Sequence, residues 1–273
     1  MPIPSHRSLI LAHASMLEVD LPEFVSAAAQ AGFDGIGIRL CHGVAEQVAF
    51  PLLGDTPLKR ETIARLRDGD IFVHDFDFIR LTAETDVPAF EAILDLAAEL
   101  GARSVVVLGA DPDEERLAET YAALCDLCAP RGIRPMLEPI VYTQVKNIMQ
   151  ALVVLKKADR PNAGIQICPL HLFRGGRTAA DIALVDPALM PHAQLCDGGV
   201  GDLFGNEAIR NETIGDRRLP GQGALDLDAF LAALPPLLTL RVNTPVAALK
   251  DRSAAERAKL IHDASVAVLA RAD

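Results

Sequence analysis

No apolar run in this chain approaches the ~18 residues expected of a membrane-spanning helix. Positive charge is also scarce: 26 Lys and Arg against 37 Asp and Glu leave a formal net charge of −11. Such a surface argues against nucleic acid and anionic membranes as general partners. It does not argue against a small anion held in a locally basic pocket. There are only five cysteines, an odd count without framework spacing, which suits a reducing cytoplasm. The segment Met1-Pro2-Ile3-Pro4-Ser5-His6-Arg7 lacks a signal-peptide pattern, so a cytoplasmic location is expected. Low-complexity tracts, linker-like stretches and short repeats are missing, and one domain over residues 1–273 is the expectation.

What the chain does have is alternation. Half of it is hydrophobic, enough for one sizeable core. Short, mostly apolar segments of the kind buried on both faces of a parallel sheet recur eight times. They fall at residues 8–13, 34–39, 71–75, 103–108, 133–137, 164–168, 193–196 and 238–242. Helical signals follow most of them. Asp20-Leu21-Pro22-Glu23 supplies a capping carboxylate and a first-turn proline, and Gly32 a stop. Further helices are expected near 56–68, 86–101, 113–129, 143–158 and 253–270. Strand–helix alternation over about 250 residues closes most economically into a (β/α)8 TIM barrel of class α/β. The weak stretch is 197–222, which is polar, rich in glycine and without a helical stripe. It reads as a lid or site-lining loop.

In such barrels chemistry sits where the strands end. The polar groups expected near that mouth are His13, Arg39, His42, Asp75, Asp77, Asp111, Glu138, Cys168, His171, Arg174, Gln194, Asp197 and Arg241. Each has a bland reading. A lone histidine such as His13 is more often a hydrogen-bonded packing residue, and an aspartate at a strand end often braces a loop. Cys168 reads as a small buried apolar residue. Cys125 and Cys128 have C-x-x-C spacing but lie mid-helix without a second pair, which points away from zinc or redox use. Glu138 stands out. It follows the apolar segment Ile133–Leu137 and precedes Pro139, and a carboxylate there is costly unless paired, protonated or bound to a cation. His171 lies in Cys168-Pro169-Leu170-His171-Leu172-Phe173-Arg174-Gly175-Gly176, where an imidazole beside an arginine and a glycine turn suits an acid/base and an anion clamp.

At these residues the chain resembles the sugar-phosphate isomerase/epimerase family with its xylose-isomerase-like barrel. The carriers are the Ala27–Arg39 run, Leu100–Arg103, Leu137-Glu138-Pro139, the His171–Gly176 turn, Gln194-Leu195-Cys196-Asp197 and Leu219-Pro220-Gly221-Gln222-Gly223. The resemblance implies a divalent metal at the mouth, held by Glu on strand five, Asp on strand six, His on strand seven and Glu on strand eight. Glu138 is the only ligand of that type retained. Cys168, Gln194 and Arg241 stand at the other three positions. Those departures weaken the case for Mn, Mg, Co or Zn, because hard cations want oxygen donors and a guanidinium repels them. The expectation is that Arg241, aided by Arg39 or Arg174, takes over part of the metal's electrostatic role.

Three functions stay open at this point. The first is an isomerase or epimerase that moves a proton beside the carbonyl of a sugar or sugar-like keto acid. Glu138 would be the base or, if a metal persists, a ligand, and His171 the second acid/base. Arg241 would stabilise the enediolate oxygen or bind a substrate carboxylate or phosphate, Gln194 and Asp197 would hold hydroxyls, and His13, Arg39, Asp77 and Arg174 would complete the substrate contacts. The second is a lyase or dehydratase that eliminates water or an alcohol on the same platform, with an anionic substrate at a mouth lined by Phe76, Phe78 and Phe173. The third is a non-catalytic binding subunit derived from the fold. The expected partner is a small, anionic, polyhydroxylated molecule, and a homo-oligomer stays open.

Overall fold

The computed structural model describes residues 7–46, 50–201, 203 and 205–272. The N-terminal signal reading falls mostly on residues 1–6, outside the described residues. Eight strands form one parallel sheet: β1 (Leu9–Ala12), β2 (Gly35–Gly43), β3 (Phe72–Leu81), β4 (Ser104–Gly109), β5 (Arg134–Leu137), β6 (Gly164–Ile165), β7 (His192–Leu195) and β8 (Thr239–Val242). Their order is β6-β5-β4-β3-β2-β1-β8-β7. The two ends of that order meet just beyond β6, where the Gln194 N–H donates to the Ile167 carbonyl at 2.9 Å. The sheet is therefore a TIM barrel, as the alternation predicts.

Helices follow the strands: α1 (Leu21–Ala31), α2 (Pro57–Asp68), α3 (Glu91–Glu99), α4 (Glu114–Cys128), α5 (Ile148–Ala158), α6 (Pro169–Arg174), α7 (Asn206–Gly215), α8 (Leu227–Ala233) and α9 (Ala254–Ala272). The side chains of Asp20, Thr56, Asp113, Asn147 and Asp226 each accept the backbone N–H three residues on, at 3.0–3.1 Å. Each such cap is worth about 1 kcal/mol. Asn147 explains why α5 starts later than the expected residue 143, since the turn before it is closed by Thr143 bonding to the Ile140 and Val145 carbonyls. The larger departure is α7, which lies inside the stretch read as a loop. Its N-cap is Gly205, with no side-chain cap, and its buried residues are only Ile209, Glu212 and Thr213. A helix that buries one aliphatic side chain leaves no apolar stripe to read.

Strand alternation sorts the polar residues. On β3, Asp75 and Asp77 point into the barrel, while Phe76 is fully buried in the main hydrophobic cluster. Phe76 is thus core, and of the three phenylalanines expected at the mouth only Phe78 lines the cavity. Gly37 pairs with Asp75 across β2 and β3. A Cβ at Gly37 would sit 2.5 Å from Asp75 Oδ1, so the bare backbone there makes room for the carboxylate.

Candidate active site

Glu138 continues the β5 ladder by donating its N–H to the Val107 carbonyl at 2.9 Å. Its side chain, 5% exposed, sits at the floor of a cavity of about 720 Å³ at the strand ends. Two amides hold its carboxyl group. Gln166 Nε2 donates to Oε2 at 3.0 Å, and Gln194 Nε2 approaches Oε1 at 3.4 Å. Burial, and after it the Cys168 sulfur, pushes the Glu138 carboxyl up to about 8, against the opposing pull of Arg217 and Arg241. At neutral pH it is therefore mostly protonated, poised as a group that can give and take a proton near that pH.

The amide of Gln166 is oriented from behind. Its Nε2 is committed to Glu138, so its Oε1 must accept from His192 Nε2 at 2.8 Å. His192 Nδ1 then accepts from His74 Nε2 at 3.2 Å. This chain of fixed donors runs through the barrel interior and aims an N–H at the Glu138 carboxylate. Burial first, and neighbouring positive charge after it, keeps the His192 imidazole neutral.

Arg241 lies inside the barrel and is 1% exposed. Its Nε donates to Asp75 Oδ1 at 2.9 Å, its Nη2 lies 3.2 Å from Asp77 Oδ2, and its Nη1 donates to Gln194 Oε1 at 2.9 Å. Asp77 also accepts from Arg39 Nη2 at 2.9 Å. The charge of Arg241 is thus shared with two carboxylates beneath the cavity. The guanidinium that borders the cavity near Glu138 is Arg217, a residue the sequence reading passed over. Its signal was a basic pair, Arg217-Arg218, directly before the Leu219–Gly223 segment. Gln166 had a signal too, since it alternates with Cys168 on the same face.

The cavity lining brings together Arg39, Asp77, Glu138 and His171 from the expected set. The other expected residues are placed differently. His13 packs between Phe24 and Phe50, at ring-centroid distances of 4.5 and 5.3 Å, and its Nε2 bonds to the Val19 carbonyl at 2.9 Å. Arg174 makes a two-pronged pair with Glu212 of α7 at 2.8 Å, and also donates to the Gly199 and Gly201 carbonyls. Asp197 accepts the backbone N–H groups of Gly198, Gly221, Gly223 and Leu225 at 2.8–3.1 Å. Arg174 and Asp197 hold the 197–222 segment in place. Asp111 is similarly engaged by Arg116 at 2.6 Å, and His42 is exposed.

A thiol pair adjoins the floor. Cys168 Sγ lies 3.8 Å from Cys196 Sγ, and Arg217 Nη1 donates toward both, at 3.7 and 3.2 Å. Burial opposes charge on either sulfur, but contact with the Cys196 S–H, with His171 and with Arg217 pulls the Cys168 thiol well below its usual range. Burial and Cys168 push Cys196 well above it. Glu138, Cys168 and His171 place one oxygen, one sulfur and one ring nitrogen within 4.8 Å of one another, all buried. Both ring nitrogens of His171 lack a hydrogen-bond partner among the described residues. This donor set does not fit a hard cation. The Gln194 oxygen is held away by Arg241, Asn243 and Gln166 at 2.9, 3.2 and 3.4 Å, and β8 presents the guanidinium of Arg241, which donates no lone pair to a cation. It does fit a softer divalent ion, which takes thiolate, imidazole and carboxylate together.

The model of the xylose isomerase-like TIM barrel matches residues 25–236. Inosose isomerase of Bacillus licheniformis is 25% identical over 158 residues, 54% of this chain and 55% of that protein. A 3-dehydroshikimate dehydratase of Pseudomonas aeruginosa is 26% identical over 236 residues, 78% of this chain and 33% of that protein. The chain thus spans about half the length of the one relative and a third of the other. Among solved structures, the IolI protein with a bound zinc atom superposes with a TM-score of 0.80 at 19% identity, covering 97% of this chain and 99% of that one. AsbF of Bacillus anthracis, described as the probable 3-DHS dehydratase of petrobactin synthesis, superposes with a TM-score of 0.76 at 15% identity, covering 95% of this chain and 98% of that one. At these identities the structures share the fold.

Proposed function

The chain belongs to the xylose isomerase-like TIM barrel family, and from that premise we propose that it is an isomerase or epimerase moving a proton beside the carbonyl of a small, anionic, polyhydroxylated compound. One observation carries the reading. A buried carboxyl group with its proton affinity raised into the neutral range, Glu138, forms the floor of the large strand-end cavity. That is where the family places its chemistry, and two amide N–H groups fix the group's geometry.

In this scheme the ionised fraction of Glu138, which grows as pH rises toward about 8, takes the proton from the carbon and returns it. His171, whose imidazole burial drives down to about 4, is neutral and carries the second proton at a ring nitrogen. Arg217 and Arg39 face the negative charge that develops on the carbonyl oxygen, where fixed cations in a low-dielectric site act strongly. Were a soft divalent ion held by Glu138, Cys168 and His171, it would supply Lewis-acid polarisation of that oxygen in place of the proton-carrying roles of Glu138 and His171. Six cations and three acids line the cavity. Arg80 and Arg210 make no ion pair with an acid among the described residues, while Lys250 lies close enough to Glu18 to hold that carboxyl down, so an anionic group at the outer end of the substrate meets unspent positive charge. Five free, buried cysteines suit a reducing cytoplasm.

Dehydration is the second reading, favoured by the alignment with the dehydratase, which covers 78% of this chain against 54% for the isomerase. It uses the same base, with His171 protonating the departing hydroxyl. A panel of keto sugars and cyclic hydroxyketo acids in deuterated water tests both. Isomerisation places solvent deuterium at one carbon, whereas elimination yields an absorbing conjugated product. Glu138→Gln should cut turnover by about 100-fold or more, the scale of positioned acid–base catalysis, without altering the fold. Undiminished activity in that variant would remove Glu138 from the chemistry. Ligand-dependent thermal stabilisation with no turnover on any panel member would favour a binding subunit instead.

A further inference from the structure

Nothing in the proton transfers above calls for two thiols in contact. Cys168 stands at the β6 exit and Cys196 at the β7 exit, and the Gln194 N–H on the Ile167 carbonyl, at 2.9 Å, sets those exits side by side. Neighbouring strands lie about 4.8 Å apart, and a disulfide spans Cα separations of about 4.4–6.8 Å. The two sulfurs already stand 3.8 Å from each other. Bonding brings them to about 2.05 Å, a closure within reach of small side-chain rotations on both sides.

The two sulfurs are not equivalent. Cys168 Sγ accepts N–H groups from Gln194 at 3.0 Å and from Arg217 at 3.7 Å, a setting that favours a nucleophilic sulfur. Cys168 also borders a second cavity of about 10 Å³, room for a water-sized molecule, whose outer wall includes the exposed Lys146 and Arg177. Cys196 is fully buried and borders neither cavity. Cys125 and Cys128 are as deeply buried, but they lie in the main hydrophobic cluster, and no arginine donates to them among the described residues.

We propose that Cys168 and Cys196 are a reversible oxidation site: a small hydroperoxide joins them in a disulfide, and a reducing thiol restores them. Cys168 Sγ attacks one peroxide oxygen. The S–O bond forms as the O–O bond breaks, and the departing oxygen takes up the thiol proton and leaves as water or an alcohol. Cys196 Sγ then attacks the Cys168 sulfur. The S–S bond forms as the S–O bond breaks, and the departing hydroxyl takes the Cys196 proton and leaves as water. The two thiols lose two electrons, and one hydroperoxide gains them.

The new bond would reshape the cavity floor. Cys168 is the residue on which α6 starts, and α6 carries His171. Cys196 precedes Asp197, which anchors the backbone of the segment after β7. Drawing the sulfurs together shifts both elements. It also takes the thiol acceptors away from Gln194 Nε2 and Arg217 Nη1, and Gln194 is one of the two amides that hold Glu138. The site does not depend on which reaction the cavity performs. Its test reads covalent mass and amide exchange, not turnover, so it and the functional reading can fail separately.

The test treats the folded, fully reduced chain with hydrogen peroxide, then unfolds it in an alkylating agent and maps its peptides without reduction. The reduced chain offers five thiols, and oxidation should leave only Cys41, Cys125 and Cys128 to be alkylated. The Cys168 and Cys196 peptides should appear joined, short of two hydrogens, and dithiothreitol should separate them. The pair should be lost at least about tenfold faster than the other three thiols. Amide exchange should change over residues 166–175 and 194–199 on oxidation and return on reduction. In Cys196→Ser the sulfenic acid has no resolving thiol, so dimedone should label Cys168. In Cys168→Ser neither linkage nor label should form. Circular dichroism checks that each variant folds, and the wild-type map and rates stand as the test if one does not. The proposal is overturned if both thiols stay alkylatable after peroxide, if they link only in urea, if the other three cysteines react as fast, or if dimedone marks Cys196 in Cys168→Ser.

Discussion

Replacing Glu138 by glutamine should make the protein's stability less sensitive to alkali, by an amount the structure sets. The carboxyl is buried and pushed from its ordinary 4.5 up to about 8. Below pH 4.5 it is neutral in both the folded and the unfolded chain and makes no difference. Between 4.5 and about 8 the unfolded chain gives up this proton and the folded chain keeps it. Unfolding then releases a proton, so stability falls as pH rises. Above about 8 the folded carboxyl ionises as well and the slope vanishes. At about 1.4 kcal/mol per pH unit the full gap is worth roughly 5 kcal/mol, and relaxation around the charge leaves an expected loss of about 3–5 kcal/mol. Glutamine keeps the shape and one of the two accepting oxygens without the titration, and the lost second acceptor shifts the variant's stability by the same amount at every pH. The assay is urea unfolding of both proteins from pH 5 to pH 9, in chelator so that no metal holds the carboxylate. Groups present in both proteins cancel in the difference. Wild type should lose about 3–5 kcal/mol relative to Glu138→Gln across that range, at equal denaturant slopes. A difference that stays flat within about 1 kcal/mol would mean that the carboxyl is not raised and that the acid–base assignment lacks its physical basis.

Two further substitutions probe the supports of the site. Arg241→Met should cost about 3–5 kcal/mol, because it leaves Asp75 and Asp77 buried beside a single remaining cation, Arg39. Denaturant unfolding measures it, and a loss under about 1 kcal/mol would show that the interior pairs are not the brace described. Arg174→Met should free α7 and the 198–201 turn from α6 while sparing the sheet. Faster amide hydrogen exchange confined to residues 198–215 is expected, and unchanged exchange there would refute the stapling role.

The barrel was legible because its signals are local and repeated. Short apolar runs, capping aspartates and stop glycines such as Gly32 each report on their own few residues, and their recurrence gives the closure. Glu138 was legible for a related reason: a charge at the end of an apolar run has few inexpensive explanations. What the sequence concealed depends on contacts between distant segments. The roles of Arg174 and Asp197 look functional in one dimension, as polar groups beside glycine turns. In space both are engaged by the segment they anchor, Arg174 by Glu212 and Asp197 by four backbone N–H groups. Arg217 was invisible for the opposite reason. It sits in a polar stretch that offers no strand or stripe, and only folding places its guanidinium against Cys168 and Cys196. Helix α7 escaped because its position is set by an ion pair and not by an apolar face.

Arg241 on strand eight ties these findings together. A carboxylate facing the strand-end cavity would add negative charge where a hard cation could use it. Arg241 reverses that charge and needs acids of its own, supplied by Asp75 and Asp77. Asp75 in turn needs the side-chain-free backbone of Gly37, whose Cβ would stand 2.5 Å from the carboxylate oxygen. One position on each of β2 and β8 and two on β3 are thus specified together. This cluster pulls Gln194 into its service, because Arg241 takes the amide oxygen and leaves the N–H₂ turned toward Cys168 and Glu138. The floor of the cavity is then left with donors of another character: a carboxylate, a sulfur and an unpaired imidazole. The strand-eight arginine therefore does more than bring a positive charge to the barrel interior. By turning Gln194 it also removes a second oxygen, and what remains favours a soft ion or a proton over a hard one.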